Sequence, residues 1–127
     1  NVPAQYAIQQ ALGGVQSIDN LINPGGRLYV QRDIAWRGLN AIDGISCKKP
    51  KGALYAFAKV DTAHFNIKND ERMILDLLKA EKILLVHGRA FNWPDPDHFR
   101  LVFLPNKDDL TEAMSKMQRF FADYRQS

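Results

Sequence analysis

The hydrophobic pattern of the chain switches between helical and strand periodicity several times. Apolar residues three or four positions apart predict amphipathic helices, and alternating or continuous apolar runs predict strands. The predicted helices cover residues 3–15, 26–40, 69–82 and a final stripe over 110–124. The predicted strands cover residues 45–48, 53–60, 83–86 and 99–104. This order predicts an α+β fold in which helices cover one face of a small mixed sheet of about four strands.

Three segments carry more specific predictions. The continuous apolar run over 83–86 is typical of a strand that is buried on both faces. In the strand over 53–60, Tyr55 shares a face with Phe57, and Leu54 points to the other face. In the long helix, the apolar stripe predicts that Gln31 lies outside the buried face.

Length and composition indicate one ordinary globular domain. The chain has 127 residues, of which 46% are hydrophobic and 24% are charged. Since no apolar run is long enough to span a bilayer, no membrane partner is expected. Cys47 is the single cysteine, so an internal disulfide is excluded and a cytoplasmic location is predicted. The chain begins at Asn1 without a methionine, which favours a processed or excised fragment.

The charge pattern argues against two classes of function. The net charge is +3 and the pI is near 9.1, but the only tight basic cluster is Lys48-Lys49-Pro50-Lys51. Nucleic-acid binding needs a denser basic stripe with interleaved aromatic residues, so no nucleic-acid partner is expected. His64, His87 and His98 are scattered and have no metal-ligand spacing, so no metal site is expected.

Arg100 is the strongest candidate for a functional residue. It lies inside an apolar strand, where a guanidinium is costly unless an anion is nearby. A planar guanidinium that never loses its charge suits bidentate binding of a carboxylate ligand. The alternative is a structural salt bridge to Asp95 or Asp97, and the spacing alone leaves both possibilities open.

Other candidate chemistry gives weaker signals. His87, beside Gly88, is a candidate general base, although a satisfied or exposed histidine is the more common situation. Cys47 is expected to pack as a small apolar residue. No nucleophile–base pair and no phosphate-binding glycine pattern is present.

Several short motifs, weak singly, resemble a known family in their order and spacing. They are Pro24-Gly25-Gly26, a long helix that begins Arg27-Leu28-Tyr29, Asp43-Gly44-Ile45, Pro50-Lys51-Gly52-Ala53-Leu54-Tyr55, Leu84-Leu85-Val86-His87-Gly88 and Phe99-Arg100-Leu101. The whole chain resembles the C-terminal part of class I/II aminotransferases of the pyridoxal-phosphate fold type I. Ala90-Phe91-Asn92-Trp93-Pro94 and Asp97-His98-Phe99-Arg100 are similar to the bacterial alanine-forming transaminases, some of which are described as aspartate aminotransferases.

The resemblance implies roles for individual residues and segments. Arg100 stands where the family's arginine binds the substrate α-carboxylate, and Leu54 and Tyr55 stand in the strand that borders the substrate pocket. Residues 1–22 resemble a remnant of the large domain and its linker, and residues 23–127 resemble the small domain, with the long helix joining the two domains.

The resemblance also implies the partners of the parent protein. The substrates are an amino acid (alanine, aspartate or glutamate) and a 2-oxo acid, and the parent is a homodimer. The cofactor is pyridoxal 5'-phosphate, bound by a large domain upstream. The Schiff-base lysine belongs to that domain, so this fragment holds no catalytic or cofactor-binding residue and is expected to be inactive alone.

The residues themselves are also compatible with two other classes of function. A stand-alone α+β module that binds or senses a small carboxylate would use Arg100 in the same way. A protein-interaction domain is a third possibility, based on the apolar N-terminal helix. The sequence does not specify the amino-group donor or the oligomeric state of the fragment.

Overall fold

The computed structural model describes residues Asn1 to Ser127 and confirms the predicted α+β fold. The helices are α1 (Val2–Gly13), α2 (Asp19–Ile22), α3 (Arg27–Asn40), α4 (Asp70–Glu81) and α5 (Lys107–Asp123). The strands are β1 (Ile45–Cys47), β2 (Tyr55–Val60), β3 (Val86–His87) and β4 (His98–Val102), and a 3₁₀ turn covers Gly88–Phe91. No helix combines the length and the apolar character needed to cross a membrane.

The four strands form one sheet in the order β1-β2-β4-β3, which confirms the predicted strand number. Every neighbouring pair is antiparallel, so the prediction of a mixed sheet was wrong. The reason lies in the connection through α4. It brings β3 back parallel to β2, but β4 lies between them, so the parallel strands never pair.

Helices cover one face of the sheet, as predicted. Ala56 and Ala58 of β2 and Phe99 of β4 are completely buried on this face and belong to a core of 21 residues. The two alanines leave room for helices to approach the sheet closely, and α3 and α5 supply Leu39 and Met117 to the same core. Residues that alternate with these point to the opposite face.

Two detailed predictions were wrong. The run over 83–86 is not a strand buried on both faces, since β3 contains only two residues and Leu84 is 72% exposed. β3 is an edge strand, and an edge strand has only one pairing partner. Gln31 is buried, because its side-chain amide donates to the backbone carbonyls of Leu104 and Pro105 in the β4–α5 connection.

Candidate functional site

Arg100 lies in the middle of β4 on the sheet face away from the helices. Its neighbours in the strand, Phe99 and Leu101, are buried in the core, so its own side chain points to the other side. The cross-strand partners of Arg100 are Phe57 of β2 and Val86 of β3. The register of β4 therefore fixes the position at which the Arg100 side chain projects from the sheet.

Two aromatic rings cover the guanidinium of Arg100. Its central carbon lies 4.5 Å from the ring centroid of Tyr55 and 4.3 Å from that of Phe91. Tyr55 is the first residue of β2, and Phe91 is the last residue of the 3₁₀ turn. Cation–π attraction of this kind is strongest where water is partly excluded.

The guanidinium of Arg100 has no anionic partner within the chain. Its Nε is buried and has no hydrogen-bond acceptor, and no carboxylate oxygen lies within salt-bridge distance. A buried N–H without an acceptor is rare in folded proteins. Because no acidic side chain pairs with Arg100, its guanidinium can pair with an external anion, and its planar set of donors suits the two oxygens of a carboxylate.

Neither Asp95 nor Asp97 forms the salt bridge with Arg100 that the spacing permitted. Asp97 accepts a hydrogen bond from Trp93 Nε1 at 2.8 Å, and its Oδ1 lies 2.7 Å from His98 Nδ1. Its other oxygen lies 3.6 Å from Lys59 Nζ. Partial burial raises the pKa of Asp97, but these partners outweigh burial and hold the pKa below its usual range.

The 3₁₀ turn that presents Phe91 is held by a buried carboxylate. Asp70, at the start of α4, is fully buried and accepts hydrogen bonds from Arg89 through the backbone N–H (3.0 Å) and the side-chain Nε (2.6 Å). Burial raises the pKa of Asp70, whereas the Arg89 hydrogen bonds and charge lower it, and the net pKa is lowered. Asn69 rather than Asp70 caps α4, since the Asn69 side chain accepts a hydrogen bond from the backbone N–H of Arg72.

The other candidates lie away from Arg100. His87 pairs with Phe99, which places it on the helix-facing side of the sheet, where its Nδ1 lies 3.5 Å from Asp70. Leu54 precedes β2 and lines an apolar cleft together with Ile22 and Tyr29. The structure thus brings Tyr55 to Arg100 and does not bring Leu54 there.

Cys47 packs in the core, as predicted. It is buried, and its Sγ lies 3.7 Å from the backbone oxygen of Phe57. Desolvation raises the pKa of its thiol, which disfavours the reactive thiolate. No group of three metal-ligating side chains occurs in the chain.

Phe91 was not identified as a site residue from the sequence. The only local signal is the residue after it, Asn92, which adopts the left-handed conformation with φ 58° and ends the 3₁₀ turn. Asparagine tolerates this conformation better than most residues, so it favours a tight turn at this point. The turn alone does not indicate which side chain it directs at Arg100.

The chain is similar to curated aminotransferases along nearly its whole length. It is 60% identical over 126 residues to the glutamate-pyruvate aminotransferase AlaA of Escherichia coli K12, covering 99% of this chain and 31% of that protein. It is 58% identical over 126 residues to an alanine aminotransferase of Mycobacterium bovis, of which it covers 29%. No family model matches the chain.

A solved structure agrees with the sequence relationship. A crystal structure of an aminotransferase from Escherichia coli superimposes on the whole chain with a TM-score of 0.91 and 59% identity, and the chain covers 31% of it. The chain thus spans about a third of the length of the relatives it matches. In sequence and in fold, these 127 residues match the C-terminal portion of the alanine and aspartate aminotransferases.

Proposed function

We propose that the chain is the substrate-clamping C-terminal part of a pyridoxal-phosphate-dependent aminotransferase. The whole protein would transfer an amino group between an amino acid and a 2-oxo acid. The observation that carries this proposal is the guanidinium of Arg100, which is buried at Nε, has no acidic partner and is covered by two aromatic rings. The relatives are named as glutamate-pyruvate and alanine aminotransferases, which supports the same reaction class.

One arginine serves both halves of such a reaction. The amino acid and the 2-oxo acid differ at the α-carbon, but each carries a carboxylate on it. A guanidinium that keeps its charge and presents two parallel N–H groups binds this shared group in both substrates. Fixing the carboxylate restricts the orientation of the α-carbon, where the bonds change. Tyr55 is proposed to border this pocket through its contact with Arg100, whereas Leu54 lines a separate cleft.

Pyridoxal phosphate is proposed to bind outside residues 1–127. The groups that contact Arg100 are aromatic rings, which provide neither an amine for the cofactor aldehyde nor a cradle of N–H groups for its phosphate. When bound, the cofactor supplies an electron sink for the bonds at the α-carbon. The part played by the present chain is to bind and orient the substrate carboxylate.

The same proposal assigns the segments of the chain to domains and gives the oligomeric state of the whole protein. Residues 1–22 are assigned to the large domain and its linker, and residues 23–127 to the small domain, within a cytoplasmic homodimer. The substrates are alanine or glutamate with the corresponding 2-oxo acid, and aspartate is a further candidate donor. A stand-alone carboxylate-sensing module is not favoured, because the curated relatives are enzymes that extend well beyond this segment.

Substituting Arg100 in the full-length protein tests the proposal. Arg100→Ala removes two charge-assisted hydrogen bonds to the carboxylate, so kcat/KM for L-alanine should fall roughly 100-fold or more. Arg100→Lys should recover only a small part of that loss, since lysine lacks the planar fork. Steady-state kinetics provide the measurement.

The matched control is Arg72→Ala, which removes an exposed arginine paired with Asp76 on α4. This variant should keep normal kinetics. Unchanged kinetics in Arg100→Ala would refute the assignment of Arg100 as the carboxylate-binding residue.

A further inference from the structure

We propose that Tyr55 and Phe91 form an aromatic clamp that sets the plane of the Arg100 guanidinium before the substrate binds. Both would be positioning residues that act through the arginine. The inference rests on the proposed function, because it concerns the same carboxylate site.

The rings of Tyr55 and Phe91 contact the same guanidinium group. Each ring centroid lies within 4.5 Å of the central guanidinium carbon of Arg100, yet Tyr55 and Phe91 form no ring–ring pair with each other. The rings therefore contact the guanidinium from different sides. An aromatic face attracts the cation and offers no oxygen acceptor, so these contacts do not replace the carboxylate as the partner of the N–H groups.

The two halves of the clamp are anchored independently. Tyr55 begins β2 opposite Val102, and the residue before it, Leu54, accepts a hydrogen bond from the Phe103 N–H at 3.1 Å. Phe91 ends the 3₁₀ turn, whose Arg89 is bound to the buried carboxylate of Asp70. Two separate attachments to the core restrict the movement of both rings.

An ordered guanidinium has an energetic consequence for binding. An arginine side chain loses considerable rotamer freedom when it grips a ligand. The clamp removes part of that freedom in advance, so less entropy is lost when the carboxylate binds. The absence of an acidic partner for Arg100 agrees with a guanidinium that is held ready for an external anion.

The test compares two amine donors in the full-length enzyme. L-alanine carries the carboxylate, and ethylamine is the same molecule without it. Tyr55→Leu and Phe91→Leu should each lower kcat/KM for L-alanine roughly tenfold, with most of the change in KM. For ethylamine, kcat/KM should change less than about twofold, since this donor makes no contact with Arg100. Release of pyruvate or acetaldehyde gives the two rates.

Conservative and distant variants complete the design. Tyr55→Phe and Phe91→Tyr keep a ring over the guanidinium and should restore kcat/KM for L-alanine to within about twofold of the wild type. Phe120→Leu removes an aromatic ring that stacks on Tyr124, away from the site, and should affect both donors alike or neither.

The outcomes distinguish failure of the clamp proposal from failure of the proposed function. Equal losses for both donors in the leucine variants would mean that the rings only support the fold, and the clamp proposal would be overturned. Normal L-alanine kinetics in the leucine variants, with a large loss in Arg100→Ala, would also refute the clamp but leave the proposed function intact. If Arg100→Ala itself has no effect on either donor, the carboxylate site and the clamp both fail.

Discussion

Gln126 fixes the beginning of α4 from near the other end of the chain. Its side-chain oxygen accepts hydrogen bonds from the backbone N–H groups of Lys68 (2.6 Å) and Asn69 (2.9 Å), and its Nε2 donates to the Asn69 carbonyl at 2.7 Å. The residue is only 3% exposed, so these bonds are shielded from water. Asn69 is the N-cap of α4, and Gln126 therefore stabilises the cap itself.

Gln126→Ala should lower the free energy of unfolding by roughly 2–3 kcal/mol, because it leaves buried backbone groups without partners. Urea unfolding of the 127-residue chain measures the change. Gln118→Ala, an exposed glutamine in α5, is the matched control and should change the free energy of unfolding by less than about 0.5 kcal/mol. A loss no larger than in the control would show that the Gln126 hydrogen bonds contribute nothing to stability.

Individual residues differ in how far the sequence could predict them. Arg100 was predictable, because one charge in an apolar strand stands out against the alternation of its neighbours. Phe91 and Gln126 were not, since an aromatic residue in a loop and a polar residue near a terminus match no periodic pattern. Their contacts depend on the path of the backbone, such as the turn that ends at Asn92. The position of Arg100 in the strand was predictable, but the aromatic rings around it were not.

At the scale of elements, long amphipathic segments were predictable and the short edge strand was not. α4 and β2 carry enough apolar residues at one period to identify both their type and their buried face. The period identified α3 as a helix, but its buried face includes Gln31, which the apolar stripe left out. β3 pairs over only two residues, and its position depends on β4 and on the 3₁₀ turn. This turn is attached to α4 through Asp70, a contact between elements that no local pattern contains.

Asp70→Asn tests the attachment of the 3₁₀ turn to α4. The variant keeps an acceptor but loses the charge that faces Arg89, so it should lower the free energy of unfolding by roughly 3 kcal/mol at pH 7. Because the native pKa of Asp70 is lowered, its ionised form contributes stability above the unfolded pKa of about 3.9. This contribution is lost as the pH falls through the native pKa.

The difference between wild type and Asp70→Asn should therefore be constant above about pH 5 and shrink below about pH 4. Urea unfolding at a series of pH values measures it. Glu71→Gln, an exposed residue in the same helical turn, is the control. If the difference stays the same from about pH 7 down to about pH 3, which is below the unfolded pKa of about 3.9, the charge of Asp70 has no part in holding the turn.

At the scale of the whole molecule, the N-terminal segment lies outside the core. α1 contains no buried residue, and its Tyr6 and Leu12 are 83% and 74% exposed. In α2, Ile22 lines the apolar cleft beside Leu54 but is itself half exposed. This arrangement supports the proposed boundary, in which the first 22 residues belong with another part of the protein and their apolar side chains pack there.

Deleting residues 1–14 should leave the urea midpoint and the m-value nearly unchanged, because the deletion removes no buried side chain and little of the surface exposed on unfolding. Deleting residues 1–22 should lower the free energy of unfolding by about 1 kcal/mol, since Ile22 shields part of the cleft. The control is deletion of residues 124–127, which removes Gln126 and should be far more destabilising. If deleting residues 1–14 destabilises the chain as much as the control does, α1 belongs to the same folding unit as the sheet. The boundary at residue 23 would then be wrong, although the carboxylate site at Arg100 would be unaffected.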